Sequence, residues 1–282
     1  MNLFCSELNK SFASRKVIKL IAGIDNLDIS SIYKMVRAAE LSGITYVDIA
    51  ANTKVVQLLK LNSSLPICVS SISPLELYNC VVAGADVVEL GNFDFCYKQG
   101  IYLTSSQILT LAKEVLSLVG NIDVCVTIPY YMSLHEQIEL SQELEFIGVK
   151  ILQTESVFMQ NRLVTSPLFY NNTYYSLRPA CSSLLSTYFI SHNVHLPVIS
   201  SSGINSLSSP LALSCGAAGV GVSSSVKKQG NICNMVNYLK SLYYFLDSMN
   251  YRRLFKYDAK LINLISDTLD SYTINDIMVQ YQ

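Results

Sequence analysis

The sequence has no tryptophan, only three histidines and few charges, since 15% of its 282 residues are Asp, Glu, Lys or Arg. The formal net charge is −1, and no basic run could follow a nucleic-acid backbone, so nucleic acid is not an expected partner. Although 50% of the residues are hydrophobic, no uninterrupted apolar stretch reaches about 18 residues, so the sequence predicts no transmembrane segment. Strands that are buried on both faces explain the high hydrophobic content, and an interface between the subunits of a homo-oligomer is a further explanation.

The eight cysteines form no C-x-x-C pair and have no partnering histidine spacing, which argues against a zinc site. Cys68 and Cys125 fall inside apolar runs, where a thiol behaves as a small hydrophobic side chain in a reducing compartment. The first residues show neither a signal-peptide pattern nor the arginines of a transit peptide. We therefore expect a protein that works in the compartment where it is made.

Short β-branched segments alternate with amphipathic segments about eight times along the chain. Apolar residues recur at helical spacing in Asp28–Leu41 and Ser133–Phe146, for example. Such alternation indicates βαβ units and a parallel sheet. The predicted strands are Val17–Gly23, Ile44–Ala50, Pro66–Ser71, Asp86–Gly91, Ile122–Ile128, Val149–Glu155, Leu196–Ser201 and Ala218–Ser223.

This count predicts an α/β fold with one (β/α)8 barrel (a TIM barrel) at residues 1–249, and a C-terminal helical extension packed on it at residues 250–282. An open doubly wound sheet is the alternative, but the first strand runs into Gly23-Ile24-Asp25-Asn26 and not into a Gly-x-Gly-x-x-Gly loop. Two long connections, Asn92–Leu103 and Ser156–Leu177, follow the fourth and sixth strands. They lie on the side where barrel enzymes build active sites, and loops of this length commonly serve as lids or binding loops.

Three carboxylates, Asp48, Glu89 and Glu155, lie near the carboxyl ends of separate predicted strands. Alternation along each strand lets all three point into the barrel near its mouth, and a buried carboxylate is costly unless it is paired. One interpretation is a catalytic cluster that holds a divalent cation, a cationic substrate or a general acid–base pair. The other is a hydrogen-bonded polar layer that fills the barrel. The strands also supply Lys19, Ser70 and Thr127 as candidate partners.

Lys19 is the candidate counter-ion of these carboxylates, and it is included among the catalytic candidates. A Schiff-base role for it is disfavoured, because neighbouring carboxylates favour the charged form of a lysine.

A phosphate site is predicted between the ends of the last two strands. Gly203 and Gly221 allow the backbone to approach a ligand closely. The helix after Ser223 begins with unpaired N–H groups, and Ser202 and Ser224 add hydroxyl groups. The alternative is that the glycines only allow tight turns from strand to helix.

Five segments carry a resemblance: Lys19–Asn26, Tyr46–Ala51, Pro66–Ser71, Ala83–Asp94 and Gly216–Val222. Together they resemble the family of hypothetical chloroplast open reading frame twenty-three, which is found in algal plastid genomes and cyanobacteria. The resemblance covers about residues 17–240, and its most specific part is Glu-Leu-Gly-Asn-Phe-Asp, which ends at Asp94. It implies an aldolase-type barrel encoded in the plastid and no particular reaction.

The chain departs from the family pattern at three positions. Tyr130 stands where the family tends to carry His, Ser223 where it has Gly, and Ser156 where its loop begins with Gly. The first departure weakens a histidine mechanism, and the second weakens the phosphate site.

Two functions remain as alternatives. One is an enzyme that acts on a small phosphorylated metabolite by proton transfer or C–C or C–N chemistry. The other is a non-enzymatic barrel that binds a metabolite or a partner protein as a regulator or scaffold.

Overall fold

All eight predicted strands are present in the computed structural model, which describes residues 3–23, 26, 28–91, 93–156 and 177–248. They run parallel and pair in chain order, and the last strand pairs back with the first, so the barrel is closed. The predicted (β/α)8 barrel is therefore confirmed. The strands are β1 (Val17–Ile21), β2 (Tyr46–Ala50), β3 (Ile67–Ser71), β4 (Val87–Leu90), β5 (Asp123–Ile128), β6 (Ile151–Thr154), β7 (Val198–Ser200) and β8 (Gly219–Val222).

Helices follow the strands and cover the outside of the barrel. Those among the described residues are α1 (Ser6–Ala13), α2 (Ile29–Ser42), α3 (Thr53–Asn62), α4 (Pro74–Val82), α5 (Asp94–Lys98), α6 (Ser105–Val119), α7 (Leu134–Ile147), α8 (Cys181–Asn193), α9 (Ser209–Ser214), α10 (Ser224–Lys227) and α11 (Ile232–Ser248). The carboxylate of Asp28 caps α2 by accepting a hydrogen bond from the Ser30 N–H at 3.0 Å, and Gly43 ends this helix with a φ of 73°. A capping box between Ser133 and Glu136 begins α7. The two helices that the apolar spacing predicts thus have chemically defined ends.

The lower part of the barrel interior, at the amino ends of the strands, is apolar. Helix α1, which has no counterpart among the predicted elements, closes this end by packing Leu8 and Phe12 against the interior. The carboxylate of Asp123 accepts hydrogen bonds from the N–H groups of Phe4 and Cys5 at 3.0 and 2.9 Å, which fixes the start of α1. The strand residues at this level are Val17, Tyr46, Cys68, Val87, Cys125, Ile151 and Ile199.

A polar level lies directly above the apolar one, towards the mouth of the barrel. In β1 to β6 the residue two positions after the apolar one is polar, as is Ser201 directly after β7, and side chains two apart on a strand share a face. The register agrees, because Ser70 pairs with Glu89 and Thr127 pairs with Gln153. The members of this level are Lys19, Asp48, Ser70, Glu89, Thr127 and Gln153, all of them buried.

Two predicted features lie wholly or mostly outside the described residues. The C-terminal extension at residues 250–282 and most of the Ser156–Leu177 connection lie outside the described residues. The connection after β4 contains the short helix α5. None of the described helices combines the length and the apolar character that a membrane span needs.

Candidate active site

Lys19, in the middle of β1, is the centre of the polar level. Its Nζ donates a hydrogen bond to Oε1 of Gln153 at 2.9 Å and another to Oε2 of Glu89, and it lies 3.0 Å from Oδ2 of Asp48. Lys19, Asp48 and Glu89 all have side chains that are 0% exposed. One ammonium group thus joins two carboxylates and an amide from three other strands. We call Lys19, Asp48 and Glu89 the lysine–carboxylate group.

Neutral side chains satisfy the remaining carboxylate oxygens. Ser70 donates to Oδ1 of Asp48 at 2.6 Å, and Thr127 and Gln153 donate to Oε1 of Glu89 at 2.9 and 2.8 Å. Oδ2 of Asp48 is paired with the ammonium of Lys19, whose Nζ lies 3.0 Å away. Each of the other three carboxylate oxygens accepts at least one, as buried polar groups require.

Burial and ion pairing act in opposite directions on the titration of this group. Burial disfavours the ammonium form of Lys19, but the carboxylates of Asp48 and Glu89 outweigh burial and hold the pKa of Lys19 well above its usual 10.5. Burial raises the pKa of Asp48 to about 6, against the attraction of Lys19. Lys19 therefore remains an ammonium ion at neutral pH, and Asp48 can exchange a proton near neutrality.

The same region contains three potential metal ligands. The nearest ligand atoms of Asp48, Cys68 and Glu89 lie within 4.8 Å of one another. However, Nζ of Lys19 already places a positive charge against both carboxylates. Burial, with the Asp48 carboxylate, raises the pKa of the Cys68 thiol well above its usual 9.0, so this thiol is neutral at neutral pH. The arrangement assigns the counter-charge to Lys19.

Glu155 lies apart from the lysine–carboxylate group. It directly follows β6, and its Oε1 accepts hydrogen bonds from the Tyr130 N–H at 3.1 Å and from the Tyr97 hydroxyl. No hydrogen bond or ion pair among the described residues joins Glu155 to Lys19, Asp48 or Glu89. The structure therefore separates the three predicted carboxylates into a buried pair and a single carboxylate at the mouth.

Four tyrosines surround the mouth beside Glu155. Tyr97 stacks on Tyr102 with 5.4 Å between ring centroids, and Tyr130 and Tyr131 meet Tyr97 edge-on at 5.3 and 5.5 Å. Burial and the negative charge of Glu155 raise the pKa of Tyr97, so its hydroxyl remains a hydrogen-bond donor. Tyr130 contacts Glu155 through its backbone N–H.

Gln153 and Tyr97 are site residues that the sequence analysis missed. Gln153 lies two positions before Glu155 on the same strand face, and that alternation was an available signal. Tyr97 reaches Glu155 across 58 positions of sequence, and no local pattern reports such a contact.

The predicted phosphate site has free donors at the ends of β7 and β8. Ser202 and Gly203 both have left-handed backbones, with φ of 65° and 72°. Within the described residues, the backbone N–H groups of Ser202, Gly203, Ser223 and Ser224 donate no hydrogen bond. Such unpaired donors in adjacent loops are the type of group that binds a phosphate.

The two glycines of this site are required by packing within the protein itself. A Cβ on Gly203 would lie 2.1 Å from the carbonyl oxygen of Pro179, and a Cβ on Gly221 would lie 2.7 Å from Oγ of Ser201. At both positions, atoms of the protein itself therefore occupy the space next to the glycine Cα that a ligand would have to enter.

A family model described as "Protein of unknown function (DUF561)" matches residues 4–252. The chain belongs to this family. The chain is 49% identical over 245 residues to "Uncharacterized protein ycf23" of Antithamnion sp., which covers 86% of this chain and 88% of the relative. A protein of the same description from Cyanophora paradoxa is 35% identical, over 84% of this chain and 95% of the relative. The resemblance inferred from sequence is confirmed.

Solved structures similar to this chain are also barrels. Thiamine phosphate pyrophosphorylase from Pyrococcus furiosus matches with a TM-score of 0.53 and 18% identity, over 83% of this chain and 96% of that protein. Tryptophan synthase subunit alpha from Legionella pneumophila matches with a TM-score of 0.59 and 13% identity, over 88% of this chain and all of that protein. An aldolase, QR15, matches with a TM-score of 0.54 and 17% identity, over 75% of this chain and 91% of that protein. At these identities the likeness establishes the aldolase-type barrel fold alone.

Proposed function

We propose that the chain is a lyase- or isomerase-type enzyme that moves a proton on a small phosphorylated metabolite at the mouth of the barrel. The observation that carries the proposal is the lysine–carboxylate group. Burying these charges costs more than filling the same space with apolar side chains, as the level below does. A catalytic role best explains a charged level directly beneath the mouth of the barrel.

Each member of the group has a different role in this reaction. Asp48, with a pKa of about 6, transfers the proton. Lys19 remains positively charged and stabilises negative charge that develops on a substrate oxygen. Glu89 holds Lys19 in place. Glu155, which Tyr97 orients, contacts the substrate at the mouth.

The unpaired N–H groups at the ends of β7 and β8 bind the phosphate in this proposal. Phosphate sites of (β/α)8 barrels are frequently formed by these two loops. The thiamine phosphate pyrophosphorylase that shares the fold is named for a phosphorylated compound, which supports the same substrate class here. The site of action is the plastid, because the family that the chain resembles is one of plastid reading frames.

A second function is favoured by the complete burial of the lysine–carboxylate group. Its side chains have no exposed surface, and Lys19 directs its ammonium towards Asp48, Glu89 and Gln153. A group of this kind can serve as a polar layer that fills the barrel. The chain would then bind a phosphorylated metabolite or a partner protein without turnover, as a regulator or scaffold.

Calorimetric titration of the wild type and of Glu89→Gln separates the two functions, because glutamine keeps the shape of Glu89 and removes its charge. Inorganic phosphate and a panel of phosphorylated carbonyl metabolites serve as probes. For the enzyme, Glu89→Gln weakens binding of a metabolite at least about tenfold and leaves phosphate binding unchanged. For the binder, the substitution changes stability and leaves all binding unchanged. Glu139→Gln, on the exposed face of α7, is the matched control.

A further inference from the structure

Helix α4 exposes three apolar side chains on the outer surface of the barrel. Leu75, Tyr78 and Val82 are 62%, 38% and 71% exposed, and their spacing places them on one side of the helix. The single charged residue of α4, Glu76, accepts a hydrogen bond from Oγ of Ser71 at 2.6 Å. Asn79 is exposed as well, so the outer face of α4 combines three apolar side chains with Glu76 and Asn79.

The neighbouring helix α3 extends the same surface. It packs beside α4 and carries Leu58 and Leu61, which are 37% and 84% exposed. Together with Leu75, Tyr78 and Val82 these residues form what we call the α3–α4 surface. With roughly 150–200 Å² for a fully exposed apolar side chain, their exposed fractions correspond to about 450–600 Å².

This area matches one side of a protein dimer. A stable interface buries about 800 Å² on each partner, of which roughly 56–65% is apolar, or about 450–520 Å². Beside the surface, Lys60 is paired within the chain, 2.8 Å from a carboxylate oxygen of Asp86. Glu76 accepts a hydrogen bond from Ser71 but keeps its negative charge, so it suits the polar rim of a two-fold interface between two copies. Lys54, in the first turn of α3, suits the polar rim of such an interface.

We propose that the α3–α4 surface is the interface of a homodimer, covered by the same surface of a second copy. Because both helices flank the barrel, the contact leaves the carboxyl ends of the strands open in each copy. The proposal concerns the assembly of the chain and does not depend on the reaction at the mouth.

Sedimentation equilibrium of the full chain tests this inference. A dimer of about twice the 31.3 kDa chain mass is expected at micromolar concentration. The double variant Leu61→Glu/Val82→Glu places charges in the centre of the interface and should raise the Kd of the dimer about 100-fold or more. Phe146→Glu is the matched control, because Phe146 is 91% exposed on the distant helix α7 and should leave the Kd unchanged.

A monomeric wild type overturns the proposal, including the case in which residues of the same chain cover α4. A dimer that the double variant leaves intact also overturns it. If the double variant fails to fold, hydrogen exchange of the wild type at low and high concentration decides. A slower rate of exchange in α3 and α4 at high protein concentration supports the dimer. A rate in these helices that is the same at both concentrations contradicts it.

Discussion

Replacing Lys19 by methionine removes the ammonium from the lysine–carboxylate group and keeps most of the side-chain volume. Two carboxylates that are 0% exposed then lose their shared cation. Removing one partner of a buried ion pair costs about 3–5 kcal/mol, which is a large share of the roughly 5–15 kcal/mol that holds a domain folded. The folding equilibrium should therefore fall by about two to four powers of ten. The loss should be smaller at pH 5 than at pH 8, because a protonated Asp48 needs no counter-ion.

Urea unfolding followed by far-ultraviolet circular dichroism measures this loss. Lys60→Met is the matched control, since Lys60 and Asp86 form a partly exposed ion pair and its removal should cost less than about 1 kcal/mol. Adding Asp48→Asn and Glu89→Gln to Lys19→Met should recover most of the stability, because no buried charge then remains. A loss below about 1 kcal/mol for Lys19→Met at pH 8, or a larger loss at pH 5, would refute the reasoning.

Four further substitutions have expected outcomes, each measured by urea unfolding. Asp123→Asn weakens the hydrogen bonds that fix the start of α1 and should cost about 1–3 kcal/mol. Gly203→Ala should cost more than about 2 kcal/mol, because its Cβ would lie 2.1 Å from the Pro179 carbonyl oxygen at a φ of 72°. Gly43→Ala, with a left-handed helical backbone at a φ of 73° and open space around it, should cost only about 1 kcal/mol. Asp48→Asn should remove a gain in stability that the wild type shows as pH falls. The pKa of Asp48 is about 6 in the folded chain against 3.8 for the free side chain, so the folded state binds the extra proton between these values.

Each of these expectations has a contradicting result. Equal losses for Gly203→Ala and Gly43→Ala would show that the Pro179 contact relaxes at no cost. An unchanged stability of Asp123→Asn would show that α1 closes the barrel through apolar packing alone. The Asp48 argument fails if wild type and Asp48→Asn have the same pH dependence between pH 7 and pH 5.

Much of the fold could be predicted because parallel strands buried on both faces leave uninterrupted apolar runs in the sequence. The alternation of those runs with helical patterns was sufficient to indicate the barrel. Helix α1 could not be predicted in this way, since it lies outside the strand–helix alternation. Its role depends on Leu8 and Phe12 meeting an interior that exists only after the barrel closes.

The site was predictable to the extent that strand alternation governs it. Alternation predicts that Lys19, Asp48 and Glu89 share the interior, and the structure joins them. Gln153 follows the same alternation, but it was missed because the candidates were selected by charge and its side chain is neutral. The Tyr97 contact with Glu155 depends on the path of a long connection, for which sequence has no periodic signal.

Deuterium incorporation into substrate is the most direct measurement of the proposed proton transfer. The chain is incubated in D₂O with phosphorylated carbonyl compounds, and each compound is then examined by mass spectrometry. The account predicts that at least one compound gains about one mass unit without further change. This exchange should be lost in Asp48→Asn and retained in Asp86→Asn, a carboxylate paired with Lys60 outside the barrel interior. Exchange that persists undiminished in Asp48→Asn, or its absence with every compound in the wild type, would contradict the account.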